Sequence, residues 1–366
     1  MRIGIDVKLL RSNSAGIKVY LESLLDELQK IDRRNEYILF SPAPVSYPLS
    51  APNFSYAIFR TRLPGILWQQ YELPKLAKKQ KIDIFWGPEQ TLFLRRPKGI
   101  HKILTVHDFV YRRYPKTMQR SVRAITGYYG TRSLSKSDSI VCISGFTAQE
   151  LKKLYPSVPD SKIQVIPNGI SHKKTVQEPL SKKDFLFFSG SIEPRKNLRS
   201  LIKALEILAQ KGVQTKLKIA GPTGWHNKAF RKLLQNSPIQ NSVEILGFVS
   251  KDELQNLYKM CKAFVFPTLY EGFGLPALEA LQNGARVIVS KNSPMQEFLG
   301  NLGIYFDPQD PESIASAIET LYSHPEMMSY SDKENEKRLG ILKRYTWEHA
   351  AKKLIALFEK IHAEAK

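Results

Sequence analysis

Residues 264–281 read Phe-Val-Phe-Pro-Thr-Leu-Tyr-Glu-Gly-Phe-Gly-Leu-Pro-Ala-Leu-Glu-Ala-Leu, and no other stretch limits the fold so tightly. The run opens with aromatic and β-branched residues, which suit a buried strand, and breaks at Pro267 and again at Gly272-Phe273-Gly274. A helix is predicted next: Pro276 fits a first helical position, residues 277–282 are mostly helix formers, and Asn283-Gly284 stops them. That order puts the backbone amides of Gly272, Phe273, Gly274 and Leu275 at a helix N-terminus, where unpaired N–H groups and the dipole favour an anion. Glu271 falls in the turn and Glu279 about one turn into the helix, so both can reach the same mouth. An anion site flanked by two carboxylates suits a ligand with phosphate at its centre and hydroxyls at both ends, such as a nucleotide sugar. Two solvated glutamates on an ordinary strand-turn-helix would leave the paired glycines unexplained.

Elsewhere, short apolar runs alternate with helical periods. Strands are predicted at 2–7, 37–41, 54–59, 82–86, 103–106, 139–144, 185–190, 216–220, 243–248 and 286–290, and helices at 18–30, 67–81, 198–210, 252–261, 311–322 and 345–365. A chain of 366 residues is too long for one ordinary core, and this alternation implies two doubly wound parallel-sheet domains, α/β in class. Cys142 and Cys261 lie far apart in apolar runs, without metal-ligand spacing, and read as reduced core thiols in a cytoplasmic protein. The first residues look like a strand rather than a signal peptide, and no run approaches the ~20 apolar residues that span a bilayer.

Charge is uneven. Residues 1–170 hold 27 Lys and Arg against 13 Asp and Glu, a net +14 of the chain's +21. Such a field suggests an anionic partner: a membrane surface, a lipid phosphate or nucleic acid. Residues 112–137 are the sharpest case, with Arg112, Arg113, Lys116, Arg120, Arg123, Arg132 and Lys136, no acid, and interleaved Tyr114, Ile125, Tyr128, Tyr129 and Leu134. They read as a basic helix whose apolar side rests on anionic lipid headgroups, the alternative being packing on the sheet with solvated cations. Membrane contact is therefore expected through residues 112–136, and nucleic acid is not expected as a partner.

Two further points face the crevice expected at the strand ends. Gly16 lies between the first strand and first helix, where α/β folds approach a phosphate, although no Gly-x-Gly-x-x-Gly is present. His107-Asp108 ends the strand at 103–106. In the second half, Arg195 and Lys196 stand at the entrance of a helix, where the dipole disfavours cations, and so suggest a bound anion that offsets the cost. Ser144 or Thr147 is expected to cap the helix that follows the strand at 139–144, with Glu150 in capping-box relation to Thr147, and Ser250 to cap the helix at 252–261.

The string from Pro267 to Ala280, with Glu271 and Glu279 separated by seven residues, resembles the signature of retaining glycosyltransferases of family 4, which have the GT-B fold. His107-Asp108-Phe109 with Pro115 is similar to the family's mannosyl-type enzymes, and Val165-Ile166-Pro167-Asn168-Gly169 to its crossing between domains. The resemblance implies two Rossmann-like domains facing across a cleft. Residues 1–170 form the acceptor side, 171–348 bind the donor, and the helix at 349–366 packs back on the first. The linker falls at 171–184. The resemblance also implies residue roles. Arg195 and Lys196 hold the diphosphate, since Ser191 replaces the family's arginine. Gly16, Gly190, Asn197 and Gly221 line the donor site with the Gly272–Leu275 backbone. Phe248 or Val249 lies by the base, Glu271 grips the sugar, Glu279 the ribose, and His107 donates to a sugar hydroxyl or orients the acceptor.

The expected function is transfer of a hexose, leaning to mannose or rhamnose, with retention, from a GDP-, UDP- or dTDP-linked donor to a glycan or lipid-linked acceptor in cell-surface polysaccharide or lipopolysaccharide synthesis. No cofactor or metal is expected, and the location is cytoplasmic or on the cytoplasmic face of the inner membrane. The rivals are a non-catalytic polyanion- or membrane-binding protein and a nucleotide-sugar epimerase of the same fold.

Overall fold

The computed structural model describes residues 1–11, 15–95, 97–171, 182–224 and 228–364. Most of the predicted linker, 172–181, lies outside them, as does the 12–14 part of the loop before Gly16. The chain divides into two compact units, one of Met1–Ser171 with Tyr345–Lys366, the other of His172–Arg344.

The first unit is built on a parallel sheet of β1 (Arg2–Asp6), β2 (Glu36–Ser41), β3 (Phe54–Ile58), β4 (Ile84–Gly87), β5 (His101–Val106), β6 (Ser139–Cys142) and β7 (Ile163–Val165), in the order β3-β2-β1-β4-β5-β6-β7. Its central strands are apolar on both faces, as a sheet covered by helices on either side requires. Helix Ala15–Ile31 starts earlier than predicted and packs against helix Trp347–Glu364, with the Tyr20 and Trp347 rings 6.0 Å apart. Here a glycine is obligatory at 169, because a Cβ would stand 2.1 Å from the Trp347 nitrogen.

Two expectations for this unit fail. The basic stretch is not one helix. Short turns at Val110–Arg113 and Pro115–Thr117 are followed by extended backbone at Met118 and Gln119, and only then by a continuous helical run through Arg120–Ile125, the π-turn Thr126–Gly130 and Thr131–Lys136. Pro115 disfavours the helical conformation at Tyr114, which ends the first turn. Of the two candidate caps Ser144 serves, accepting the Thr147 N–H at 2.9 Å, but the capping box fails: Glu150 takes both arms of Arg113 instead.

The second unit repeats the plan with β8 (Phe185–Ser189), β9 (Lys216–Ala220), β10 (Val243–Gly247), β11 (Ala263–Phe266), β12 (Arg286–Ser290) and β13 (Gly303–Phe306), all parallel, in the order β10-β9-β8-β11-β12-β13. Phe187, Phe188, Phe264 and Phe266 are fully buried where β8 and β11 pair, each contributing about 1.5–3 kcal/mol by removal from water. Ser250 caps its helix by accepting from the Glu253 N–H. Both sheets are doubly wound in the Rossmann order, the architecture of GT-B proteins. Among the described residues no helix is long and apolar enough to cross a membrane.

Candidate active site

The strand ends of β8 and β11 bring distant residues together. β8 runs into Gly190, whose φ of +150° turns the chain away from the sheet, and a 3-10 turn at Pro194–Lys196 presents two cations. β11 ends at Phe266, and a short turn beyond it lies Glu271. One oxygen of Glu271, Oε1, accepts from Arg195 Nη1 at 2.6 Å and from Lys196 Nζ at 2.8 Å. Arg195 Nη1 also donates to the Tyr270 carbonyl at 2.8 Å, and its Nη2 to Glu193 at 2.8 Å. The Lys196 ammonium lies 4.8 Å from the centre of the Phe266 ring. Burial alone would push the Glu271 carboxyl up, but Arg195 and Lys196 outweigh it and hold it below the usual range. Burial draws the Lys196 ammonium down, Glu271 opposes this, and the neighbouring Arg195 adds to the lowering.

The helix after Glu271 begins one residue earlier than predicted. It spans Leu275–Gln282, with Gly274 as N-cap at φ +95° and Pro276 at the second position. That φ favours glycine at 274, and a Cβ there would also press on Met295 Cγ, 2.6 Å away. The first N–H groups of a helix have no partner inside it, and Pro276 lacks one altogether, so this end offers Gly274 and Leu275 amides with a favourable dipole. The Phe273 ring is buried and stacks on Phe298 at 5.4 Å, which anchors the turn. Glu279, half-buried on the same helix, accepts from Tyr258 Oη at 3.1 Å, and burial pushes its carboxyl up to about 7.

Asn197 ends the cation turn in the left-handed conformation, φ +57°. Its Nδ2 donates to the Pro267 carbonyl at 3.0 Å and the Pro308 carbonyl at 2.7 Å, so it ties the turn to the end of β11. Gly221 at the end of β9 has φ +141° and lies so near Gly190 that a Cβ would stand 2.2 Å from that carbonyl oxygen. Phe248, after β10, is 88% exposed.

The first unit holds the other two predicted residues. Gly16 is the second residue of helix Ala15–Ile31, and a Cβ added there would meet nothing within 4 Å among the described residues. His107 follows β5 and is buried; its Nε2 lies 2.7 Å from the Pro88 carbonyl, and its ring meets Tyr20 edge-on at 4.8 Å. Burial lowers its pKa despite the Pro88 carbonyl and Asp108, so the ring is neutral near pH 7. With its proton on Nε2 and given to Pro88, the neutral ring has an acceptor left at Nδ1, not the donor expected for a sugar hydroxyl.

The structure thus gathers Gly190, Arg195, Lys196, Asn197, Glu271 and the Gly272–Leu275 turn at the ends of β8 and β11, with Glu279 on the helix that follows. It adds two residues that sequence reasoning missed. Glu193 carried a signal, an acid two places before Arg195 in a turn. Tyr258 carried none, because its contact with Glu279 forms between helices 21 residues apart.

Comparison with known proteins follows the same division. Residues 14–174 match the family described as Glycosyltransferase Family 4, and residues 171–338 match Glycosyl transferases group 1. Among curated relatives, O-antigen chain mannosyltransferase B of Escherichia coli is 27% identical over 240 residues, a match covering 62% of each chain. The uncharacterized glycosyltransferase YqgM of Bacillus subtilis is 30% identical over 289 residues, covering 76% of this chain and 75% of that one. Among solved structures, Anabaena Alr3699/HepE in complex with UDP and glucose aligns with a TM-score of 0.71 at 15% identity, over 98% of this chain and 99% of that one.

Proposed function

The chain belongs to the group 1 glycosyl transferases, in glycosyltransferase family 4, and from that premise we propose that it moves a hexose from a nucleotide diphosphate sugar to a glycan or lipid-linked acceptor. The bond between the anomeric carbon and the diphosphate oxygen breaks, the acceptor hydroxyl oxygen bonds to that carbon with retention and gives its proton to the departing diphosphate, and a nucleoside diphosphate leaves. What the protein supplies is charge stabilisation on the leaving diphosphate, a role for preorganised cations and helix amides. The observation that carries this reading is the convergence of Lys196, Arg195 and Glu271 immediately before the Gly272–Leu275 helix start. Lys196 and the Gly274 and Leu275 amides face the diphosphate, Glu271 takes sugar hydroxyls and Glu279 the ribose hydroxyls. His107 serves the sugar or acceptor as a neutral acceptor group.

The relative named an O-antigen chain mannosyltransferase supports a mannose donor and a role in O-antigen or lipopolysaccharide-type synthesis, and the UDP complex of HepE supports a nucleoside diphosphate as the leaving group. The second unit, His172–Arg344, is the donor domain and the first the acceptor domain in this proposal. Incubating the protein with GDP-mannose, dTDP-rhamnose, UDP-glucose and UDP-galactose, with and without lipid-linked acceptors, tests it. Acceptor-dependent release of one nucleoside diphosphate is expected. Free sugar epimer without acceptor, or salt-sensitive polyanion binding with no turnover, would replace it with a rival.

The run 120–136 supports peripheral membrane contact on the cytoplasmic face. Val122, Ile125 and Tyr128 are 45%, 39% and 50% exposed, and Arg132 lies 3.7 Å over the Tyr128 ring. Arg112 and Arg113 are instead engaged by Tyr155 and Glu150, so the lipid-facing cations are those from Arg120 onward. Binding to vesicles containing anionic lipid, lost on R120E/R123E and absent on neutral vesicles, is the expected result.

A further inference from the structure

We propose that Arg195 is a positioning residue which, paired with Glu193, holds Glu271 for the sugar, and that Lys196 is the one cation of the pair that meets the diphosphate; the inference rests on the transfer reading above. Arg195 ties two turns together through both its backbone and its side chain. Its carbonyl accepts from the Leu269 N–H at 2.9 Å, while its guanidinium reaches the Tyr270 carbonyl, Glu271 Oε1 and Glu193 Oε1. A guanidinium is a flat, rigid fork, and one held between two carboxylates and a carbonyl has its direction fixed and its charge balanced. A phosphate approaching it would have to displace Glu193 or Glu271 and then sit beside the carboxylate it had displaced.

Lys196 is placed differently. Its ammonium has three donors, and one is used, on Glu271 at 2.8 Å. The remaining donors sit on a nearly buried side chain, 10% exposed, where an anion's charge is poorly screened by water and strongly felt. Glu271 shows the same division of labour within one carboxylate. Both cations converge on Oε1, which leaves Oε2 with no protein donor among the described residues and open to accept from a sugar hydroxyl. Glu193, given no role of its own from the sequence, becomes a functional residue. It draws on Arg195 Nη2 and so fixes the orientation in which Nη1 presents Glu271.

The two roles separate in binding experiments on the full chain. GDP, UDP and dTDP, which carry the diphosphate but no sugar, are titrated calorimetrically against wild type, K196A, R195Q and E193Q, and turnover is measured at saturating sugar nucleotide. For the nucleotide that binds wild type, K196A is expected to lose at least tenfold in affinity. R195Q and E193Q should bind it within threefold of wild type yet turn over at least tenfold more slowly, with R195K no better, since an ammonium cannot bridge both carboxylates and the Tyr270 carbonyl. Loss of nucleotide affinity in R195Q equal to that in K196A, at unchanged Tm, would overturn the proposal. So would wild-type turnover in E193Q, which also decides the matter where R195Q fails to fold. If wild type binds none of the three nucleotides, the transfer reading itself falls and takes this inference with it.

Discussion

The two sheets share a strand order but put different chemistry at their carboxyl ends. In the second unit four charged groups, Glu193, Arg195, Lys196 and Glu271, are nearly buried and neutralise one another beside a glycine-bound helix start. In the first unit the strand end of β5 carries a neutral buried histidine and the end of β1 a smaller cluster in which Lys8 pairs with Asp6 and Glu89, while residues 112–137 add cations without an acid among them. A common topology therefore says little about task. What distinguishes the units is whether the paired, buried charge stands beside a helix start, where it can be redirected to an anion, and how much further charge is left in water, where it steers and docks.

The largest effect expected from this contrast is steric. Gly221→Ala puts a Cβ 2.2 Å from the Gly190 carbonyl at a φ of +141°, so the two phosphate-side turns must separate. A loss of about 3–5 kcal/mol in unfolding free energy, read by denaturant titration, is expected for such a clash with backbone strain. A loss below about 1 kcal/mol would mean that the second unit is not held at this contact.

Next comes Lys196→Ala. Removing one buried cation from a charge-assisted contact costs about 2–4 kcal/mol of binding, or ~30- to 1,000-fold in nucleoside diphosphate affinity. Arg120→Glu with Arg123→Glu, which alters exposed cations of the first unit, should leave that affinity within about twofold at 150 mM salt. Comparable losses from both would erase the distinction between paired and solvated charge.

How much of this was readable beforehand follows the same line. The strand-turn-helix at 264–282 was legible because glycine, proline and apolar periodicity act locally, and His107 because a strand end is a position in sequence. The pairing on Glu271 Oε1 was not, since Arg195 and Lys196 lie 75 or more residues away and looked like free cations set against a dipole. The break at Met118 was missed for a related reason. The helical period of apolar residues continued across it, while Pro115 and the Arg113–Glu150 pair, 37 residues apart, decided the local path. Ser144 and Thr147 were both capable caps by residue type, and only geometry chose Ser144.

A smaller effect should appear with pH. Burial raises the Glu279 carboxyl from 4.5 to about 7, so the folded protein keeps a proton that the unfolded chain gives up. The stability linked to this group is then fully present below about pH 4.5 and is lost as pH rises through about 7. Because the side chain is only half-buried, the change should be about 1–2 kcal/mol, seen as a flatter pH–Tm profile in Glu279→Gln. Nucleotide affinity should move the other way in wild type. It should rise through pH 7 as the carboxylate that accepts ribose hydroxyls forms, and this rise should vanish in the variant.

The smallest expected change tests the first unit's share in donor binding. Gly16 is the second residue of helix Ala15–Ile31, and no described residue stands within 4 Å of where a methyl group would go, unlike at Gly221. Alanine is the better helix former, so Gly16→Ala should raise stability by about 0.5–1 kcal/mol, and with it Tm. If the glycine serves only as a helix residue, turnover and donor KM stay as in wild type. If the bare backbone closes on the diphosphate, as predicted from the loop, the same methyl group raises donor KM while the protein becomes more stable. Opposite signs in the two measurements would mean that the glycine is retained for the ligand and against the fold, whereas in the second unit, at Gly221 and Gly274, the two demands coincide.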